Sequence, residues 1–267
     1  MARELSLHHL VAPEIPAEDL IRLAAINGCS HVCLFTQAPD MAGFPVIGDD
    51  DVNRVRRALE VTGVTMLGAT SFALGAAPWT TYRPGLERAA RLGAQWVNCR
   101  IVGDNHSLLV SEFAGLARFA ADLGLRAGIE FSGFGNAQAF PQALRIIEGA
   151  GIGQLALDPL QIARTGTSMD ELSGLDPALI GYAQMCDGLI EATAEGYIRE
   201  AAFDRLAPGE GEFDLKRYVG FVPVGTPLSI EVPTARLRKA GQTPERRVRH
   251  VVDATRSLLN SLDSENV

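Results

Sequence analysis

The chain has 267 residues, 47% of them hydrophobic and 21% charged, the composition of a soluble globular protein with a sizeable core rather than a disulfide-stapled miniprotein. Lys and Arg number 24 against 32 Asp and Glu, a formal charge of −8, and the one basic run is Arg246, Arg247 and Arg249. A nucleic-acid binder needs a concentrated positive surface, which argues against that class, but a small anionic substrate needs only one or two arginines.

Apolar runs alternate with longer mixed segments along the whole chain. Residues 5–10 read as a strand, and 16–28 as a helix opened by Pro16, with Leu20, Leu23 and Ala24 on one stripe and Gly28 at its end. The second strand is 31–35 (HVCLF), followed by a loop with Pro39, Gly43 and Pro45. A helix over 51–62 stopped by Gly63, a strand over 64–69 and a helix over 81–92 stopped by Gly93 come next. The fourth strand is 95–101, the fifth 126–131, the sixth 152–157, the seventh 180–184 and the eighth 228–232. Helices over 107–123 and 137–148 separate the middle strands, and a last helix covers 244–259. The stretch from Cys186 to Pro227 reads as an extended loop over one face, with a short helix near 214–219.

Eight strand-like segments without period-2 alternation, separated by helices, in a chain close to the ~250 residues usual for a closed eight-stranded barrel, predict an α/β protein: a single (β/α)8 TIM barrel. A doubly wound open sheet is the rival, weakened because no Gly-rich dinucleotide loop follows the first strand. One domain is expected over 1–260, with a frayed polar tail at 261–267. Cys29, Cys33, Cys99 and Cys186 lack a second close pair, so reduced buried thiols are expected rather than structural zinc. No apolar run approaches the ~18 residues of a membrane span, and the first residues, Met-Ala-Arg-Glu, are no signal peptide; a cytoplasmic protein that does not engage a membrane is expected.

Four oxygen-bearing side chains end the later strands: Glu130 (RAGIE), Asp158 (QLALD), Gln184 (IGYAQ) and Glu231 (LSIE). Barrel closure brings such ends to one face, where the active sites of this architecture form. Three carboxylates and an amide oxygen make an all-oxygen donor set for one hard divalent ion, Mn2+ or Mg2+ ahead of Co2+ or Zn2+, and a cation would relieve the repulsion among the carboxylates.

The segments AGIEF, ALDPLQIARTG, IGYAQMCDG, DRLAPGEGEFDL and PLSIEVP resemble the xylose-isomerase-like family of sugar isomerases and epimerases. Its members include hydroxypyruvate isomerase, ketose 3-epimerases, inosose dehydratase and a dehydroshikimate dehydratase branch. The resemblance implies that Glu130, Asp158, Gln184 and Glu231 hold the metal, and that Glu130 and Glu231 also exchange a proton with a substrate carbon. The implied activity is isomerisation or epimerisation of a small hydroxyketone through a metal-stabilised enediolate. A metal-dependent lyase acting on an inosose- or dehydroshikimate-like ring is the alternative, and a non-catalytic binding subunit another. The family often has His three residues after the strand-six Asp; here the position is Gln161, which donates a hydrogen bond but cannot titrate. Metal-dependent abasic-site endonucleases, wider relatives, use several histidines that this chain does not supply.

Further substrate-binding candidates are His8, Arg100, Gln161, Arg164, Asp187 and Arg199. His8 is preferred over His9 as the residue facing the barrel. Phe44, Phe72 and Trp79 are candidates for an apolar wall. PGEG at 208–211 lacks the Lys-Ser/Thr ending of a phosphate loop and reads as a turn. The expected partner is a small hydroxyketone or cyclic polyol-ketone, and barrels of this class often assemble as homo-oligomers.

Overall fold

The computed structural model describes residues 3–39 and 43–265. Eight parallel strands close into one barrel in sequence order: β1 (Leu5–His8), β2 (His31–Phe35), β3 (Thr65–Leu74), β4 (Trp96–Ile101), β5 (Arg126–Glu130), β6 (Gln154–Leu157), β7 (Ile180–Met185) and β8 (Leu228–Ile230). Closure is made by β1 on β8, with Leu7 opposite Ile230. β1, β2 and β8 are buried along their whole length, which is why alternation was absent from their sequences.

The helices are α1 (Ala17–Ile26), α2 (Val52–Thr62), α3 (Arg83–Arg91), α4 (His106–Asp122), α5 (Ala139–Ala150), α6 (Pro159–Thr165), α7 (Met169–Ser173), α8 (Ala194–Phe203), α9 (Leu215–Phe221), α10 (Ala235–Lys239) and α11 (Pro244–Glu265). Where a helix covers the barrel, its stripe faces the strands. On α1, Leu20, Ile21, Leu23 and Ala24 are buried, and each large side chain contributes about 2 kcal/mol by leaving water. Local signals set the ends. Asn105 caps α4 by accepting from the Leu108 N–H, and Ser168 and Glu171 form a reciprocal capping box on α7. Gly63 ends α2 at φ 72°, a left-handed conformation suited to glycine.

The last helix runs on to Glu265, past Asn260 where the polar sequence predicted fraying. Leu258, Leu259 and Leu262 pack against the core and hold it. Residues 1, 2, 266 and 267, at the ends of the predicted domain and tail, lie outside the described residues. The C-terminal basic run does not form a patch: Arg247 is buried, binding the Val11 carbonyl, Thr234 and Glu14. All four cysteines are free and buried. No helix among the described residues is long and apolar enough to cross a membrane.

Candidate functional site

The side chains that end β5 to β8 meet at the C-terminal mouth of the barrel. Glu130 is the last residue of β5, and Asp158 follows β6 and caps α6 by accepting the Leu160 N–H at 2.8 Å. Gln184 lies near the end of β7; Glu231 follows β8 and donates its N–H to the Met185 carbonyl at 3.0 Å. The Gln184 Nε2 donates to Glu130 Oε2 at 3.1 Å and also to Glu231 Oε2, so one amide joins carboxylates from two strands. Asn98, inside β4, donates to the same Glu130 oxygen at 2.7 Å. His8 is buried with its Nε2 3.6 Å from Glu231 Oε2, while its Nδ1 accepts the Leu10 N–H.

A buried arginine completes the arrangement. Arg205 donates to Asp158 Oδ2 at 2.9 Å, to Glu231 Oε1 at 3.2 Å and to the Glu231 carbonyl at 3.2 Å. Three carboxylates thus face one fixed cation. Burial pushes the Glu130 carboxyl up to about 7, with the Asp158 charge adding to it and Arg205 opposing it. Burial also raises Glu231 well above the usual carboxylate range, against the pull of Arg205. His8 is driven down to about 3 by burial first and then by the Arg205 charge, so it is neutral and adds nothing to the balance.

The residues suit a divalent cation by donor chemistry. When ionised, the three carboxylates carry more negative charge than Arg205 neutralises, and Gln184 Oε1 is buried without a hydrogen-bond partner. Gln184 and Arg205 interleave the carboxylates, and among the described residues no three His, Cys, Asp or Glu side chains are gathered in a metal-holding cluster. The unpartnered Gln184 oxygen would be a further donor beside the carboxylates. A half-turn of the Gln184 amide exchanges its two ends and offers oxygen, rather than N–H, to the space between Glu130 and Glu231.

The other sequence candidates divide. Gln161, buried in the first turn of α6, accepts a 2.6 Å hydrogen bond from the Tyr197 hydroxyl. Arg100 stands opposite Glu130 in register and two residues beyond Asn98, hence on the same face. Arg164 is committed elsewhere: it grips both Glu200 oxygens at 2.7 and 2.6 Å and the carbonyls of Leu189 and Ile190. Asp187 organises the turn that reads PGEG, accepting from the N–H groups of Gly188, Gly209 and Phe213. That turn requires glycine at 211, where a Cβ would lie 2.3 Å from Asp187 Oδ1 and 2.5 Å from the Gly188 carbonyl. Glu210 turns away to His250 at 2.9 Å. Arg199 is exposed on α8 and lines a cavity of about 410 Å3 with Arg236 and Glu200.

Of the aromatic candidates, Phe44 stacks between Phe35 and Phe203 on the His8 side of the mouth. Phe72 is core, edge-on to Tyr82, and Trp79 packs on Phe119 of α4. Sequence reasoning missed Asn98, Cys186, Tyr197 and Arg205. Asn98 had left a signal, as a lone amide inside the apolar run QWVNCRI.

No family model matches the chain, and no curated protein does. Solved structures do match. A xylose isomerase domain protein from Salmonella typhimurium LT2 aligns over 97% of this chain and 99% of its own, with a TM-score of 0.76 and 18% identity. The IolI protein with a bound zinc atom aligns over 97% and 99%, with a TM-score of 0.76 and 15% identity. D-allulose 3-epimerase from Methylomonas sp., in complex with D-allulose, aligns over 98% of both chains, with a TM-score of 0.72 and 13% identity. These likenesses span the whole barrel, and the chain therefore has the xylose-isomerase-like TIM-barrel fold.

Proposed function

We propose that this chain is a cytoplasmic, divalent-metal-dependent isomerase or epimerase of a small polyhydroxylated carbonyl compound. The observation that carries the reading is the pairing of Glu130 and Glu231 through one amide: a half-buried and a buried carboxylate from different strands flank Gln184 at the barrel mouth. The bound zinc of IolI and the D-allulose held by the epimerase, both on this fold, support it by analogy. Glu130, Asp158, Gln184 and Glu231 would hold the metal, which when bound polarises substrate oxygens and makes the adjoining C–H more acidic.

The remaining work falls to the chain's own groups. Glu130 takes the proton from the carbon beside the carbonyl, and Glu231 delivers one from the other side. Asn98 holds the Glu130 carboxylate in place through Oε2, leaving Oε1 for the proton. Arg205 stays charged throughout and keeps Asp158 and Glu231 aligned. Neutral His8, whose Nδ1 is occupied by the Leu10 N–H, presents Nε2–H toward Glu231. Gln161, with its oxygen taken by Tyr197, has only N–H left to offer a substrate oxygen.

The test is incubation with a panel of ketoses and cyclic polyol-ketones in D2O with Mn2+. The expected result is one deuterium on the carbon beside the carbonyl, in a product otherwise of unchanged mass, and none with Glu130→Gln. A product lighter by one water would assign the lyase chemistry instead. No deuterium in any substrate would overturn the reading.

A further inference from the structure

One segment reaches over the mouth with little apolar anchorage: Phe203 stacks on Phe44 and Ala201 packs against the core. Asp187 and Leu206 exchange two backbone hydrogen bonds, of 2.9 and 3.0 Å, closing the base of an excursion that contains α8. Its first residues are pinned, because Arg164 binds the carbonyls of Leu189 and Ile190 and Glu212 binds the Ile190 N–H. Beyond them, none of the residues of α8 is buried, and Ile198 and Phe203 are largely exposed. Beneath lie Asp158, Gln184, Cys186 and Glu231, all buried.

Three polar side chains fasten the cover to the barrel. Glu200 pairs with Arg164, and Arg205 reaches Asp158 and Glu231 while also binding the Ala201 carbonyl in the last turn of α8. Tyr197 is the third. Its hydroxyl donates to Gln161 Oε1 at 2.6 Å and accepts the Gly133 N–H at 3.1 Å, so one atom joins α8 to α6 and to the loop leaving Glu130. Segments that bury little apolar surface open locally at far lower free energy than the fold unfolds, and single hydrogen bonds then set how often they open.

We propose that residues 191–205 form a lid over the barrel mouth and that the Tyr197 hydroxyl is its latch. Tyr197 is also a positioning residue: closing the latch occupies Gln161 Oε1 and turns the N–H end of that amide to the site. Opening releases both at once, so access and donor orientation are linked. The inference concerns the site assigned above, but its test needs no substrate and so can fail independently of the proposed reaction.

Cys186 is the reporter. It is buried under the lid, with its Sγ 3.3 Å from Asp158 Oδ1 and 3.5 Å from an Arg205 nitrogen, whereas Cys33 and Cys99 are buried within the barrel wall. Alkylation of the full chain by iodoacetamide is followed residue by residue with mass spectrometry. Tyr197→Phe, which keeps the ring, is expected to speed modification of Cys186 by about tenfold while Cys33 and Cys99 keep their wild-type rates. Gln161→Leu should do the same, and the double variant should add nothing to either single change. Amide exchange should quicken over 191–204 alone. Cys186 reacting at the wild-type rate in Tyr197→Phe would overturn the latch. So would a parallel rise at Cys33 and Cys99, because that would mean general loosening.

Discussion

The two ends of the barrel are built on opposite principles. Toward the N-terminal end, the buried polar groups are neutral and satisfy one another: Cys33 lies within hydrogen-bond reach of Ser6 at 3.3 Å, Tyr182 at 2.7 Å and Ser229 at 3.3 Å. A cavity of about 1110 Å3 lies below that network and is lined by residues such as Arg3, Phe221 and Arg256, away from Glu130, Asp158 and Glu231. At the C-terminal end, buried Asp158 and Glu231 and half-buried Glu130 share one arginine, an amide oxygen is left without a partner, and the cover is held mainly by polar contacts. A fold has no use of its own for the second arrangement. Unbalanced buried charge is tolerated where it performs chemistry.

Glu130→Gln should separate the ends most sharply. Turnover in the deuterium exchange assay should fall about a thousandfold, the scale of a lost general base, while the melting temperature holds or rises because one buried repulsion is gone. A loss of stability comparable to a core mutation would break the contrast.

Arg205→Met removes the mouth's fixed cation and leaves Asp158 and Glu231 buried and unpaired. About 3–5 kcal/mol of unfolding free energy should be lost in urea titrations, and added Mn2+ should recover part of it. Equal stability of the variant and the wild type without metal would contradict the charge balance drawn here.

How much of this was legible in the sequence follows from where the signals come from. Strand runs such as HVCLF and the stripe of α1 announce themselves because burial selects apolar residues at a fixed period. The four strand-end residues were legible because each breaks such a run. Helix α8 was not, since a helix that buries none of its residues has no stripe. Arg205 was missed with it, being a lone arginine in a stretch read as loop. Helix α6 had left a sign in Asp158-Pro159, an N-cap followed by proline at the first helical position, but it is too short to show a period. Arg164 looked like an anion binder, yet the cover that claims it had no sequence signal.

The histidines at the end of β1 extend the contrast to pH. His9 donates Nε2–H to the Ile15 carbonyl and leaves Nδ1 buried and unpaired; burial holds it down near 4, against an ordinary 6.5. A depressed folded value means its contribution is complete above the unfolded pKa and is lost as pH falls from 6.5 toward 4. By pH 5 the loss from His9 is about 2 kcal/mol. His9→Gln, which keeps an N–H for Ile15, should remove that part of the acid sensitivity and leave the part owed to His8. An unchanged pH dependence of the urea midpoint would count against it.

The smallest effect is expected at the base. Tyr182→Phe deletes one neutral hydrogen bond to Cys33 and should lower stability by about 1 kcal/mol without altering exchange activity. A fall in activity at constant fold would mean that the two ends are coupled.

The most direct measurement is a calorimetric titration of the metal-free chain with Mn2+. The account predicts one ion bound per chain, with binding lost in Asp158→Asn and Glu231→Gln and weakened in Gln184→Leu. No binding at saturating metal, or binding indifferent to all three substitutions, would contradict it.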